Sequence, residues 1–102
     1  MANDGEPRVT PQTALVLDAL MRRQRLSGAD LAKLTNLKSG TLYPLLLRLE
    51  QAGWLQSEWE AEDPKKLGRP RRRYYLMTGK GAAHGRAAAA RNAEIFGRLA
   101  WS

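Results

Sequence analysis

Residues 39–55 read Ser39-Gly40-Thr41-Leu42-Tyr43-Pro44-Leu45-Leu46-Leu47-Arg48-Leu49-Glu50-Gln51-Ala52-Gly53-Trp54-Leu55, and this stretch decides the fold. Leu42, Leu45, Leu46 and Leu49 recur at three- and four-residue spacing and form one apolar helical face, which is core and reads nothing. Gly53 stands just past the last turn, where a left-handed residue ends a helix. The start is less direct because of Pro44. With a cap at Thr41 the proline falls in the first turn, where a missing N–H is harmless; with a cap at Ser39 one backbone hydrogen bond is lost and a kink follows. The later cap is the expected one, giving a helix over Thr41–Ala52.

The preceding residues supply a partner. In Leu26-Ser27-Gly28-Ala29-Asp30-Leu31, Ser27 is placed to cap a helix, Asp30 to reach back to the Ser27 N–H, and Leu26 to pack on Leu31. This short helix ends at Thr35-Asn36, since asparagine tolerates left-handed backbone. Ser27–Leu34 followed by Thr41–Ala52 is a helix-turn-helix. Further upstream, Thr10 caps and Pro11 opens a first helix running to about Arg23, with Val16, Leu17, Leu20 and Met21 as its buried stripe. Arg22, Arg23 and Arg25 lie where the helix dipole favours cations. Residues 1–10 read as a flexible leader.

After Gly53 the period changes to two. Leu55, Ser57 and Trp59 face one side of a strand, and Gln56, Glu58 and Glu60 the other. A second strand spans Arg71–Met77, and Ala61–Pro70 between them, with Pro64, Gly68 and Pro70, is a flexible, turn-bearing connection. Thr78 then caps a last helix, although Gly79, Gly81 and Gly85 weaken its start by about 1 kcal/mol each relative to alanine. Ala82, Gly85, Ala89, Ala93, Phe96 and Leu99 share a stripe on it, and His84 reads as a surface residue. The fold class is α+β, mainly α: three helices, a two-stranded β-wing and a C-terminal helix. Residues 11–77 form the winged helix-turn-helix and residues 78–102 the last helix.

Composition bounds the function. A 102-residue chain holds one modest core and little room for a deep catalytic pocket. It has no cysteine and one histidine, so disulfides, thiolate chemistry and Cys- or His-rich metal sites are excluded, and no cofactor or metal is expected. The absence of paired catalytic carboxylates on a shared scaffold and of a Gly-rich phosphate loop argues against an enzyme. No run approaches the roughly 18 apolar residues of a membrane span, and the polar N-terminus is no export signal, so a cytoplasmic location is expected. Net charge is +7, and residues 65–102 carry ten of the Lys and Arg against Glu94 alone. Six of these cations, Lys65, Lys66, Arg69, Arg71, Arg72 and Arg73, lie within nine residues at the wing, where they are placed to meet phosphates.

The Ser39–Leu55 stretch, followed by Gly68-Arg69-Pro70-Arg71-Arg72-Arg73-Tyr74-Tyr75-Leu76-Met77-Thr78, resembles the PadR family of bacterial transcriptional regulators. That family's signature is a Gly-Thr-Leu-Tyr-Pro-x-Leu-x-Arg-Leu-Glu helix and a Gly-Arg-x-Arg-x-Tyr-Tyr-x-Leu-Thr wing strand. The resemblance spans about Pro11 to Leu99, with Met77 in place of the usual leucine and Gly-Lys-Gly in place of an acidic pair after Thr78. It implies burial of Tyr75 and Met77 and a dimer formed through the last helix.

Candidate contacts follow. At the third helix, Lys38, Ser39, Gly40, Thr41, Tyr43, Pro44 and Arg48 lie at its exposed start or outer face, where N–H groups and side chains meet DNA, although Tyr43 has packing on the second helix as its alternative. On the wing, Lys65, Lys66 and an exposed Arg69 reach phosphate or minor groove, and of Arg71, Arg72 and Arg73 one or two point outward while the others pair with Glu58 or Glu60. Ala89, Ala93, Phe96 and Leu99 are the dimerisation candidates. A small aromatic or hydrophobic effector, if there is one, falls near Trp54, Trp59, Phe96 and Trp101. The expected function is a homodimeric repressor of an inverted-repeat operator on double-stranded DNA; the alternative is a winged-helix protein-interaction module whose basic wing meets an acidic partner.

Overall fold

The computed structural model describes residues 6–101, the side chains of residues 92 and 94–101 excepted. Its elements run α1 (Pro11–Arg22), β1 (Leu26–Ser27), α2 (Gly28–Thr35), α3 (Ser39–Gln51), β2 (Leu55–Trp59), α4 (Pro64–Leu67), β3 (Arg73–Met77) and α5 (Gly79–Trp101). Helix α1 starts as its sequence dictates: Pro11 occupies the first turn, and the Thr13 N–H donates to the Thr10 hydroxyl at 3.2 Å. Its buried stripe is Thr13, Val16, Leu17 and Leu20, with Ala19 beside it. Met21, expected in that stripe, is 42% exposed, because it lies at the stripe's edge beneath α5.

The Ser27–Asp30 capping box is complete, with both hydrogen bonds formed at 3.0 and 3.1 Å. Ser27 caps from an extended backbone (φ −75°, ψ 165°), and the same conformation lets Leu26 and Ser27 pair antiparallel with Tyr75 and Tyr74. The expected two-stranded wing is therefore a three-stranded sheet in the order β1-β3-β2. A two-residue strand is too short to show a period. Asn36 ends α2 in left-handed geometry at φ 59°.

Helix α3 begins earlier than expected. The Lys38 carbonyl accepts from the N–H groups of Thr41 and Leu42 at 2.9 and 2.8 Å, so the helix starts at Ser39 and Pro44 lies inside it. Proline has no N–H to give the Gly40 carbonyl, and that intrahelical bond is absent. Leu42, Leu45, Leu46 and Leu49 are buried. At the other end the Gly53 N–H bonds the Glu50 carbonyl and the Trp54 N–H bonds the Leu49 carbonyl, with Gly53 at φ 81°, a Schellman cap that swings the buried Trp54 into the core.

Strands β2 and β3 pair antiparallel from Leu55↔Met77 to Trp59↔Arg73. Period-two alternation puts Leu55, Ser57, Tyr75 and Met77 on the core side, and Tyr75 is buried with Met77 packed against the cluster. The core runs out toward the tip, so Trp59 on the same face is 59% exposed. The connection expected to be flexible is instead a capped helical turn: the Lys65 N–H donates to Asp63, Pro64 opens α4, and Gly68 closes it at φ 70°.

Thr78 caps α5 by accepting from the Gly81 N–H at 3.0 Å, while its hydroxyl donates to the Gly53 carbonyl at 2.6 Å. The face docked on the domain is Gly81, Gly85 and Ala88, all buried; of the expected stripe, Gly85 lies on that face, whereas Ala89 and Ala93 are exposed. A Cβ at Gly81 would overlap the Trp54 carbonyl, so the glycine that weakens the helix permits its closest approach. The side chains of Phe96, Leu99 and Trp101 lie outside the described residues. Ahead of α1 the Glu6 carboxylate accepts from the Trp54 indole and pairs with Lys80, each at 2.7 Å.

Candidate nucleic-acid interface

Helix α3 is fixed by its leucine face, so its opposite face is presented outward. Lys38, Ser39, Gly40, Thr41, Pro44 and Arg48 are all exposed. The first-turn N–H groups of a helix are unpaired by construction and carry positive potential, suited to phosphate oxygens, while side chains one turn later reach base edges. Tyr43 does two things: its ring lies over Gly28 at the start of α2, yet 46% of it stays exposed. Sequence reasoning missed Leu47, which is 56% exposed one turn beyond Tyr43 and offers an apolar contact of the kind a thymine methyl accepts. Its signal was available, since Leu47 is the leucine that falls off the buried stripe.

The wing sorts its cations by partner. Arg69, expected to be exposed, is half-buried, and its guanidinium holds both Glu60 oxygens at 2.6 and 3.0 Å. Glu60 also accepts from the Arg72 N–H at 2.8 Å. Arg69 therefore shapes the wing rather than extending a free charge. The paired Arg69, then the Arg72 N–H, hold the Glu60 carboxyl down at about 2 from its usual 4.5. A depressed carboxylate lends its stability fully above its ordinary range and loses it as pH falls through the folded value. The Glu60 side-chain carbon is accordingly expected to titrate by NMR near 2 in the native protein and to move up toward 4.5 in Arg69→Ala. A midpoint near 4.5 in the native protein would disprove the clamp.

Arg73 is also only half-exposed, donating to the Ser57 hydroxyl at 2.6 Å with Glu50 at 3.4 Å. Glu58, expected to pair with a wing arginine, takes Arg25 at 3.0 Å, and Arg25 lies 3.8 Å over the Tyr74 ring. That pair spans 33 residues and leaves no local pattern to read. Arg71 is exposed, and its guanidinium bonds the Glu62 carbonyl with no carboxylate partner among the described residues. Among the described residues Lys65, Lys66 and the Arg72 guanidinium have no carboxylate partner, and all are exposed. A cleft lined by Gly28, Ala29, Tyr43 and Arg71–Arg73 joins the start of α2, the outer face of α3 and the wing on one side of the molecule.

Of the four residues of the expected aromatic effector site, the two described ones, Trp54 and Trp59, lie at opposite ends of β2. Trp54 is buried, and Trp59 stands at the far end of β2. His84 is not a free surface residue, because it stacks on Trp54 with ring centres 4.0 Å apart. Phe96 and Trp101, the other two candidates, have side chains outside the described residues. Among the described residues no helix is long and apolar enough to cross a membrane, and no three potential metal ligands gather.

A profile of the transcriptional regulator PadR-like family matches residues 18–87. No curated protein is a significant match. Among solved structures, the PcaV transcriptional regulator from Streptomyces coelicolor superposes with a TM-score of 0.75 at 22% identity, over 86% of this chain and 60% of that one. The chain thus spans less than two thirds of the length of PcaV. A PadR family transcriptional regulator from Eggerthella lenta gives 0.68 at 29% identity, over 85% and 79% of the two chains. Bordetella bronchiseptica BpsR, whose DNA binding is regulated by 6-hydroxynicotinic acid, gives 0.73 at 19% identity, over 94% and 70%.

Proposed function

The chain belongs to the transcriptional regulator PadR-like family, and from that premise we propose that it is a sequence-specific double-stranded DNA-binding repressor that works as a homodimer. The observation that supports this best is a shared face: Tyr43 on the outer side of α3 and Arg71 and Arg72 of the wing border one cleft. In a helix-turn-helix the second helix of the motif enters the major groove while flanking elements hold the backbone. Residues 11–77 are the DNA-binding unit on this reading, and residues 78–102 join two copies through α5. Ala89 and Ala93 lie exposed there, and Leu15 and Met21 of α1 expose apolar surface beside the same helix, which a partner copy would cover.

Two-fold symmetry demands a target of matching symmetry. Selection of bound duplexes from a random pool by the purified protein is expected to recover an inverted repeat with half-sites about one helical turn, roughly 10 bp, apart. Enrichment of no sequence, or of asymmetric sites only, would contradict the reading. Release of DNA by a small aromatic effector belongs to the same proposal, and the regulation of BpsR DNA binding by 6-hydroxynicotinic acid supports it.

A further inference from the structure

Trp54, between α3 and β2, is fully buried, and the Glu6 carboxylate takes its indole N–H at 2.7 Å. A buried donor stripped of its acceptor is penalised, so Glu6 is held where it is. The other Glu6 oxygen meets the Lys80 ammonium at 2.7 Å. Lys80 also donates to the Ala52 carbonyl at 3.1 Å, at the C-terminal end of α3, where the helix dipole favours a cation. One turn further along α5, His84 stacks on the Trp54 ring with its Nε2 3.7 Å from the same carboxylate. Lys80 first, then the indole, hold the Glu6 carboxyl below its usual value, so near neutral pH it stays an anion and an acceptor. Val9 packs on the core cluster and anchors the segment between Glu6 and α1. Three parts of the chain that are distant in sequence thus meet at one carboxylate: the residues ahead of α1, the end of α3 and the start of α5.

We propose that Glu6 is a positioning residue for DNA recognition: by tying the first turns of α5 to the end of α3, it sets the spacing at which two copies read their half-sites. This rests on the dimeric DNA reading proposed above. Helix α5 runs for 23 residues, about 34 Å at about 1.5 Å per residue. A change of about 6° at its base therefore moves its far end by about 3.4 Å, the rise of one base pair. Play at Glu6 becomes lost register between half-sites. Glu6, Lys80 and His84 do not line the cleft shared by α2, α3 and the wing, so contacts within each half-site are left as they are.

The test uses the full chain as wild type, Glu6→Ala, Glu6→Gln and Lys80→Met. Amide hydrogen exchange of residues 82–88 is expected to be about tenfold faster in Glu6→Ala, with the amides of α2 unchanged as the internal reference. Glu6→Gln keeps an oxygen for the indole and should recover part of the protection, and Lys80→Met, which keeps the indole bond alone, should resemble it. Unchanged exchange in α5, or acceleration shared equally by α2, would overturn the link.

The second arm measures binding to the selected inverted repeat, to versions with one base pair added or removed between the half-sites, and to a single half-site. Wild type is expected to prefer the selected spacing about tenfold, and Glu6→Ala to narrow that gap to about twofold while binding the single half-site as wild type does. Loss of affinity for all duplexes alike, as a merely structural role would give, or an unchanged preference for spacing would overturn the positioning role. If no duplex binds wild type, the DNA reading falls and the spacing role with it, while faster exchange in Glu6→Ala still upholds the link between α5 and α3.

Discussion

Gly81→Ala is expected to lower stability by about 2–3 kcal/mol and the melting temperature by roughly 10–15 °C at fixed protein concentration. Helix propensity alone predicts the reverse, because alanine is about 1 kcal/mol better than glycine within a helix. Packing decides the sign. The new Cβ would overlap the Trp54 carbonyl oxygen, with the Met77 side chain also within 3.0 Å. That carbonyl is main chain, already accepting from the Thr78 N–H at 3.0 Å, and cannot turn aside as a side chain does. Moving α5 away would break the Thr78 cap and uncover Leu17 and Ala88. Gly85→Ala is the internal control. Its Cβ meets chiefly the Met21 sulfur, the end of a flexible and half-exposed chain, so the change is expected to stay within about 0.5 kcal/mol of wild type. A Gly81→Ala protein that melts at or above wild type would refute the docking of α5 described here.

That contrast also shows how far the sequence could be read. Contacts within one or two turns were legible: the Ser27–Asp30 box, the Thr10 cap, the leucine face of α3 and the Asn36 stop all depend on spacing along the chain. The alternation of β2 was legible because Leu55, Ser57 and Trp59 share a face, while the burial of Tyr75 came from the family resemblance. What depends on distant partners was not. Arg25 finds Glu58 across 33 residues, and nothing near Arg69 announces that Glu60 will hold it. Gly81 looked like a defect because its reason is a carbonyl 27 positions away in Trp54. Pro44 misled in the other direction: the local rule favours a late start, but the Lys38 carbonyl gathers two N–H groups and starts α3 ahead of it. For the candidate site, residue identities on α3 were readable, whereas the division of wing arginines into structural and free was not.

The second large effect concerns recognition. Thr41 is exposed on the outer face of α3, so Thr41→Ala is expected to cut the preference for the selected operator over a scrambled duplex about tenfold per half-site. Its electrostatic affinity should be unchanged. Lys65 and Lys66 stand on the capped turn of α4 with no carboxylate partner among the described residues, and their removal is expected to do the opposite. Each lysine that meets a phosphate steepens the salt dependence by about one unit of slope. Arg69 is left in place, since removing it would undo the Glu60 clamp and confuse shape with charge.

The decisive measurement is therefore the salt dependence of operator and scrambled-duplex binding for wild type, Thr41→Ala and the Lys65→Ala, Lys66→Ala double variant. Wild type is expected to show a steep linear fall of log affinity with log salt, the lysine variant a slope shallower by about two per protomer with preference retained, and Thr41→Ala the wild-type slope with lost preference. Duplex binding absent from wild type at low salt, or both variants behaving as wild type, would contradict it.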